Sequence, residues 1–106
     1  MIVLSFDTPE LRDGCTKLQA AQAWIGPMEA QALTQMIADI EAFQNADEVI
    51  AFLGATVDAQ GCIMIDFSRK HRAILRSTLP DTPLDPGGIP IWQQVRRLML
   101  TEIVEL

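Results

Sequence analysis

Apolar residues are spaced differently in different segments of the chain, and each spacing predicts a different element. Residues 30–43 repeat an apolar side chain every three or four positions, which predicts an amphipathic helix. Three short runs rich in branched apolar residues, at 1–6, 62–67 and 72–79, instead predict strands. Because only a polar turn at 68–71 separates the last two runs, they predict a β-hairpin.

Residues that favour helix ends locate the predicted helices more closely. Thr8-Pro9 has the composition of a helix start, and apolar residues at helical spacing continue from there to Ile25. Gly26-Pro27 ends this helix and begins the next one, so we expect an antiparallel helical pair. Gly14 lies inside the first helix and weakens it by up to about 1 kcal/mol relative to alanine. A further helical segment is predicted at 47–53.

The apolar run at 95–106 fits both spacings. As a helix, it places five apolar residues on one face: Val95, Leu98, Met99, Ile103 and Leu106. As a strand, it has one mainly apolar side that Glu102 interrupts. We favour the strand, because a loop with four prolines at 80–90 precedes it and the hairpin needs a pairing partner. An exposed last strand would be an edge at which a second copy or a partner segment adds to the sheet.

The resulting order, β-α-α-(α)-β-β-loop-β, predicts a single α+β domain over residues 1–106, with a small antiparallel sheet packed against two N-terminal helices. The apolar fraction of 49% excludes a disordered chain. No run is long enough to span a membrane and no signal peptide precedes the first strand, so we expect a cytoplasmic protein without a membrane partner. Two distant cysteines and one histidine match no ligand spacing, so we expect reduced thiols, no metal and no cofactor.

The charge is distributed unevenly along the chain. The net charge is −6, and residues 1–68 carry two basic residues against ten acidic ones. Residues 69–97 reverse this balance, with six basic residues and two acidic ones. An acidic surface repels a phosphate backbone, so any surface that binds RNA has to be built from residues 69–97.

Two arginines in this basic segment have the spacing of a phosphate site. Arg72 and Arg76 are four positions apart on a predicted strand, so both project from one face with Ile74 between them. A pair of guanidinium groups is suited to binding a phosphate through forked hydrogen bonds. The alternative is that these side chains lie on a solvated sheet face or form an ion pair with Asp66 or Glu102.

His71 is the only side chain of the sequence that titrates near neutral pH. It is a candidate acid or base for RNA chemistry, and the alternative is an exposed residue in a polar turn. If the chain is an enzyme, we expect the catalytic residues His71, Arg72 and Arg76 to converge on one concave face. The residues expected to extend that face toward RNA are Arg69, Lys70 and Arg97.

Eight short motifs follow one another along almost the whole chain. They are Ser5-Phe6, Leu11-Arg12-x-x-Cys15, the helix from Ala32-Leu33 to Ala42, Leu53-Gly54, the hairpin strand that opens at Arg72, Pro86-Gly87-Gly88, Trp92-x-x-Val95 and Leu100-x-Glu102-Ile103. In this order and spacing they resemble the RelE/HigB-type plasmid-maintenance toxins, in particular the plasmid killer branch of that family.

The resemblance implies a RelE-like fold, with the order β-α-α-β-β-β, and a role in RNA cleavage. Many members of the family cleave mRNA on the ribosome without a metal, and each is neutralised by an antitoxin encoded beside it. Arg72 matches the arginine that these toxins carry on a strand, which implies phosphate binding. The chain has no histidine at 55–61 and no Asp-Tyr-His ending, unlike the family, so the resemblance implies weak or lost catalysis.

Two functional hypotheses follow from these residues. The first is a toxin-like component of a toxin–antitoxin-type system, with an antitoxin and ribosome-bound mRNA as partners and, if active, a metal-independent endoribonuclease activity. The alternative is a non-catalytic interaction module that uses the same fold to bind a partner protein or to form a homodimer. The first predicts convergence of the basic residues on one face. The second predicts that this face is filled or acidic, and that an apolar patch lies elsewhere.

Overall fold

The structure is a computed structural model that describes residues 1–78 and 83–106. These residues form four helices and a five-stranded sheet, so the predicted α+β class is confirmed. In chain order the elements are β1 (Val3–Phe6), α1 (Pro9–Thr16), α2 (Leu18–Ile25), α3 (Pro27–Ala42), α4 (Ala46–Leu53), β2 (Thr56–Val57), β3 (Ile63–Asp66), β4 (His71–Ser77) and β5 (Arg97–Glu105), with a 3-10 turn at Trp92–Gln94. Residues 79–82, which belong to the predicted strand 72–79 and the predicted loop 80–90, lie outside the described residues.

All five strands belong to one sheet, in the order β1-β5-β4-β3-β2. The pairs among β2, β3, β4 and β5 are antiparallel, but β1 pairs with β5 in parallel, with Val3 opposite Arg97. The prediction of an entirely antiparallel sheet is therefore wrong at this edge. Parallel strands need a long crossover connection, and four helices and a hairpin separate β1 from β5. Because β5 has a strand on each side, the last strand pairs within the chain and is not a free edge.

The helical region contains four helices rather than a pair with one further segment. The predicted helix at 9–25 is divided into α1 and α2 at Lys17, whose backbone is extended with φ −101° and ψ 111°. The boundary at Gly26-Pro27 is confirmed, since Gly26 has a φ of 90° and Pro27 begins α3. The helix start is also confirmed, since the Thr8 hydroxyl accepts a hydrogen bond from the backbone N–H of Leu11 at 3.1 Å.

The core lies between the helices and one face of the sheet, which we call the helix-side face. Fully buried side chains from the helices and from alternate strand residues meet there: Leu33, Ile40, Val49, Ile63, Leu75, Leu98 and Leu100. On the other face, which we call the open face, the strand residues are partly buried or exposed. No helix in residues 1–78 and 83–106 is long and apolar enough to cross a membrane.

The pairing of β4 with β5 contains a bulge that sets which residues of β5 face the core. Leu75 lies opposite Leu100, but Ile74 lies opposite Glu102, so Thr101 is an extra residue in β5. The Thr101 hydroxyl donates a hydrogen bond to the carbonyl oxygen of Ile74 at 3.0 Å. The bulge shifts the alternation by one position, which places Glu102 on the open face. The predicted strand at this end of the chain is therefore confirmed, and Glu102 does not interrupt its apolar side.

Candidate functional site

Strand β4 carries three of the predicted site residues and places them on both faces of the sheet. Its buried residues, on the helix-side face, are His71, Ala73 and Leu75. Its partly buried or exposed residues, on the open face, include Arg72, Ile74 and Arg76. The prediction that Arg72 and Arg76 share a face is therefore confirmed. His71 lies on the opposite face, so the three predicted catalytic residues do not converge on one surface.

His71 is buried, not exposed in a turn. Only 7% of the residue is exposed, and its Nδ1 atom lies 2.6 Å from Oε1 of Glu29 in the first turn of α3. Because an ionised carboxylate only accepts hydrogen bonds, Nδ1 donates in this contact. The ring also stacks on Phe67, with 5.9 Å between the ring centroids. The expectation of an exposed histidine is therefore wrong. Its burial was not evident from the neighbouring sequence, because its partner Glu29 lies 42 positions earlier in the chain.

Ser68 completes the hydrogen-bond network around this histidine. Its hydroxyl donates to Oε1 of Glu29 and accepts from the backbone N–H groups of Lys70 and His71, each at 3.1 Å. The hydrogen bond from Ser68, and after it that from His71, lowers the pKa of Glu29 below its ordinary value. The network therefore joins the turn between β3 and β4 to the start of α3.

The hydrogen bonds of this network do not match those of a nucleophilic triad. In a triad, the serine hydroxyl donates to an imidazole nitrogen, and the carboxylate orients the imidazole from its other side. Here Ser68 donates to Glu29, the same oxygen that His71 contacts. The arrangement orders the turn and satisfies a buried imidazole, and it does not activate the serine.

Arg72 forms an ion pair on the open face. Its Nε lies 2.6 Å from Oδ1 of Asp66 and its Nη2 lies 3.3 Å from Oδ2, so the contact is forked. The two residues lie directly opposite each other in the β3–β4 pairing. The hydrogen bond from Arg72 lowers the pKa of Asp66, and the same contact raises the pKa of Arg72. A phosphate that binds Arg72 therefore has to compete with Asp66.

Arg76 has Arg97 as a neighbour on the adjacent strand β5. Residues four apart on one strand, such as Arg72 and Arg76, have Cα atoms roughly 13 Å apart. Arg76 lies opposite Met99, which makes Arg97 its diagonal neighbour on the open face. Such neighbours have Cβ atoms about 7–8 Å apart, within reach of two guanidinium groups. The sequence did not reveal this pair, because the register of β4 against β5 is not encoded locally.

The other predicted RNA-binding residues divide between the two ends of β4. Arg69 and Lys70 are exposed in the turn before β4, whereas Arg97 lies beside the opposite end of that strand. The length of β4 separates them by roughly 20 Å. Arg96 and Arg97 both line a cavity of about 140 Å³ together with Gln94 and the β4 end. The six residues predicted for the site therefore do not form one patch.

Arg76 also contacts one of the two free cysteines. Its Nη2 donates to the Sγ atom of Cys62 at 3.3 Å, and this contact raises the pKa of Arg76. Cys15 is buried, and burial raises the pKa of its thiol to about 11. Among the described residues, no group of three or more histidine, cysteine, aspartate and glutamate side chains has the arrangement of a metal site.

A groove lies between helices α1 and α2. We call it the α1–α2 groove. Its volume is about 590 Å³, and the residues that line it are Glu10, Leu11, Asp13, Gly14, Ala20 and Trp24. Trp24 forms an apolar wall of the groove, and 46% of this residue is exposed. This open wall was not predicted. It depends on the break between α1 and α2 at Lys17, and the sequence around Lys17 does not signal that break.

The comparisons with known proteins give no relative for this chain. No family model matches it, and neither the curated proteins nor the solved structures compared with it give a match.

Proposed function

We propose that this chain is a toxin-like component of a toxin–antitoxin-type system in which RNA cleavage is weak or lost and the fold serves to bind a partner protein. The separation of His71 from Arg72 and Arg76 is the observation that supports this proposal. A metal-independent endoribonuclease needs an acid–base group and a phosphate-binding group around the same reacting atoms. In this chain the imidazole and the guanidinium groups lie on opposite faces of the sheet, and the imidazole is already bonded to Glu29.

Carboxylates on the open face also disfavour RNA cleavage. Asp66 occupies the fork of Arg72, and Glu102 lies opposite Ile74, between the two arginines of β4. An RNA backbone that approaches Arg76 meets these carboxylates, which weakens its attraction. Asp66 fills the fork of Arg72, and the α1–α2 groove is an apolar surface elsewhere on the molecule. The interaction hypothesis predicts both features.

The proposal includes a RelE-like fold with additional elements. In this assignment α2 and α3 are the helical pair of the family, β3, β4 and β5 are its last three strands, and α1, α4 and β2 are additions. The order of a first strand, then helices, then a hairpin and a last strand supports the assignment. The four helices and the parallel β1–β5 pair differ from the arrangement that the resemblance implies.

Induced expression in a bacterial host tests the loss of cleavage. We expect cells that express the wild type to grow like cells that express Arg72→Ala or Arg76→Ala, and we expect the purified chain to leave mRNA on ribosomes intact. The matched control is Arg12→Ala, which removes an exposed arginine from α1. Growth arrest that Arg72→Ala or Arg76→Ala abolishes and Arg12→Ala retains would show that the arginines of the open face act in cleavage.

Co-purification tests the antitoxin part of the proposal. We expect the chain to form a stable complex with the product of the neighbouring reading frame when the two are expressed together. The control is the same experiment with the product of an unrelated reading frame of similar size and charge. Absence of a complex with the neighbouring product would contradict a toxin–antitoxin-type pair.

A further inference from the structure

The α1–α2 groove combines apolar walls with acidic margins. Leu11, Gly14 and Ala20 give it small and apolar surfaces, and Trp24 adds a large aromatic wall. The polar side chains among its lining residues are two carboxylates, Glu10 and Asp13. Sites that bind a partner commonly place a few polar groups around an apolar surface in this way.

The position of Trp24 depends on Gly14. A Cβ atom at Gly14 would lie 3.1 Å from Cε3 and 3.3 Å from Cζ3 of Trp24, closer than ordinary contact. A glycine inside a helix costs up to about 1 kcal/mol relative to alanine, so Gly14 is unfavourable for α1 alone. Its absence of a side chain allows the indole to lie against α1 while part of the indole stays in solvent. Gly14 therefore leaves the room that lets the indole form a wall of the groove.

The charges around the groove favour a cationic occupant. Glu10 is exposed at the margin, and Asp13 has two cationic neighbours, Arg12 and Lys17, each at 3.6 Å. Both neighbours are exposed, and neither lines the groove. The first 68 residues, which include all four helices, hold ten acidic residues against only these two basic ones, and this balance favours the attraction of cations. An exposed indole beside carboxylates also attracts a lysine or arginine through a cation–π contact.

We propose that the α1–α2 groove binds a segment of a partner protein that presents apolar side chains flanked by lysine or arginine. This inference rests on the interaction function proposed above and names the surface and the chemistry of the partner. The apolar side chains pack on Leu11 and Trp24, and the cationic groups bind Glu10 and compete with Arg12 and Lys17 for Asp13. A nucleic acid does not fit, because its phosphates would meet the same two carboxylates.

Binding of two synthetic peptides, followed by NMR, tests this inference. Both peptides carry leucines at the same helical spacing; the flanking residues are arginine in one and glutamate in the other. We expect the arginine peptide to shift the backbone amides of α1 and α2 and the indole N–H of Trp24, and we expect the glutamate peptide to shift none of them. Equal binding of both peptides, binding of neither, or shifts centred on another surface would overturn the proposal.

Variants distinguish binding of the peptide in the groove from a general attraction of a cationic peptide to an acidic protein. We expect Trp24→Ala to weaken the binding of the arginine peptide by about tenfold, since a buried tryptophan contact often dominates an interface. Glu10→Gln with Asp13→Asn should weaken it by about threefold, an effect that added salt removes. The control is Glu41→Gln with Glu105→Gln, which removes two exposed carboxylates outside the groove and leaves the affinity unchanged. Equal weakening by the two double variants would assign binding to net charge and overturn the proposal.

The outcomes distinguish this inference from the function on which it rests. If the arginine peptide binds the groove but induced expression cleaves mRNA, the groove assignment stands and the loss of cleavage is wrong. If the peptide does not bind but a complex with the neighbouring gene product forms, the interaction function stands and its surface lies elsewhere. Circular dichroism of each variant checks that a loss of binding is not a loss of fold.

Discussion

Neighbouring residues of β4 lie on opposite faces of the sheet, and the two faces satisfy polar side chains in different ways. On the helix-side face, His71 is buried and bonded to Glu29, which comes from a helix far away in the sequence. On the open face, Arg72 is partly exposed and bonded to Asp66 on the next strand. The first contact belongs to the packing of helices on the sheet, and the second belongs to the sheet alone.

This difference indicates which residues of the chain are constrained by folding. A buried polar group on the helix-side face, such as His71, has no access to bulk water, so it needs a partner at a fixed position. A charged group on the open face retains solvent, and losing its partner leaves it hydrated. Folding therefore constrains the helix-side face tightly, while the residues of the open face can change with the needs of binding.

The largest contrast between the faces is expected for apolar residues at adjacent positions of β4. Leu75 is fully buried on the helix-side face, whereas Ile74 is partly buried on the open face. We expect Leu75→Ala to lower the free energy of unfolding by about 2–5 kcal/mol, because it leaves a cavity in the core. Ile74→Ala should cost about 1 kcal/mol or less. Urea unfolding monitored by circular dichroism measures both, and equal losses would show that the open face is packed as tightly as the core.

A smaller effect, which depends on pH, is expected at Glu29. Its ionised form accepts hydrogen bonds from Ser68 and His71, so its pKa in the folded chain lies below the ordinary 4.5. The stability that it contributes is therefore present above pH 4.5 and is lost as the pH falls through the folded pKa. We expect Glu29→Gln to lower the free energy of unfolding at neutral pH, with a deficit that shrinks as the pH is lowered below 4.5.

Urea unfolding of wild type and variant across this pH range measures the deficit at Glu29. The control is Glu41→Gln, an exposed carboxylate at the other end of the same helix, for which we expect no such trend. A deficit that stays constant, or grows, as the pH falls would show that Glu29 is not stabilised in its ionised form.

The smallest effect is expected for the ion pair of the open face. Exposed ion pairs contribute little, because both charges are well hydrated when the pair is broken. We expect Arg72→Ala, Asp66→Ala and the double variant to have nearly the same urea midpoint as the wild type. A double-mutant cycle measures the coupling, which should decrease further with added salt. A coupling free energy between Arg72 and Asp66 as large as the loss in unfolding free energy caused by Glu29→Gln would contradict the distinction between the two faces.

Elements whose ends are encoded by neighbouring residues were predictable from the sequence. Thr8-Pro9 and Gly26-Pro27 begin helices as expected, since capping and proline chemistry act within one turn. The helix predicted at 47–53 is α4, with Asn45 accepting a hydrogen bond from the backbone N–H of Glu48 at 3.0 Å. The hairpin of β3 and β4 was also expected, because its two apolar runs flank a short polar turn.

Features that depend on distant parts of the chain were not predictable. The burial of His71 depends on Glu29, and the diagonal pairing of Arg76 with Arg97 depends on the register of β4 against β5. The bulge at Thr101 also comes from that register, so alternation alone gave the wrong side for Glu102. Within the candidate site, the shared face of Arg72 and Arg76 was therefore predictable. Asp66, the partner of Arg72, was predictable only as one of two alternatives, and the contact of Arg76 with Cys62 was not predictable.

Strand β5 lies between β1 and β4 although it follows both of them in the chain. Ser5 and Leu98, which meet across β1 and β5, are 93 positions apart. Because ribosomes synthesise a chain from its N-terminus, β1 has no strand partner until nearly all of these positions have been translated. The nascent polypeptide therefore carries an unpaired first strand and an uncovered hairpin edge until β5 is inserted between them. Such late closure exposes pairing edges to other chains during translation, so a chaperone or an early-binding partner would protect this polypeptide most before β5 emerges.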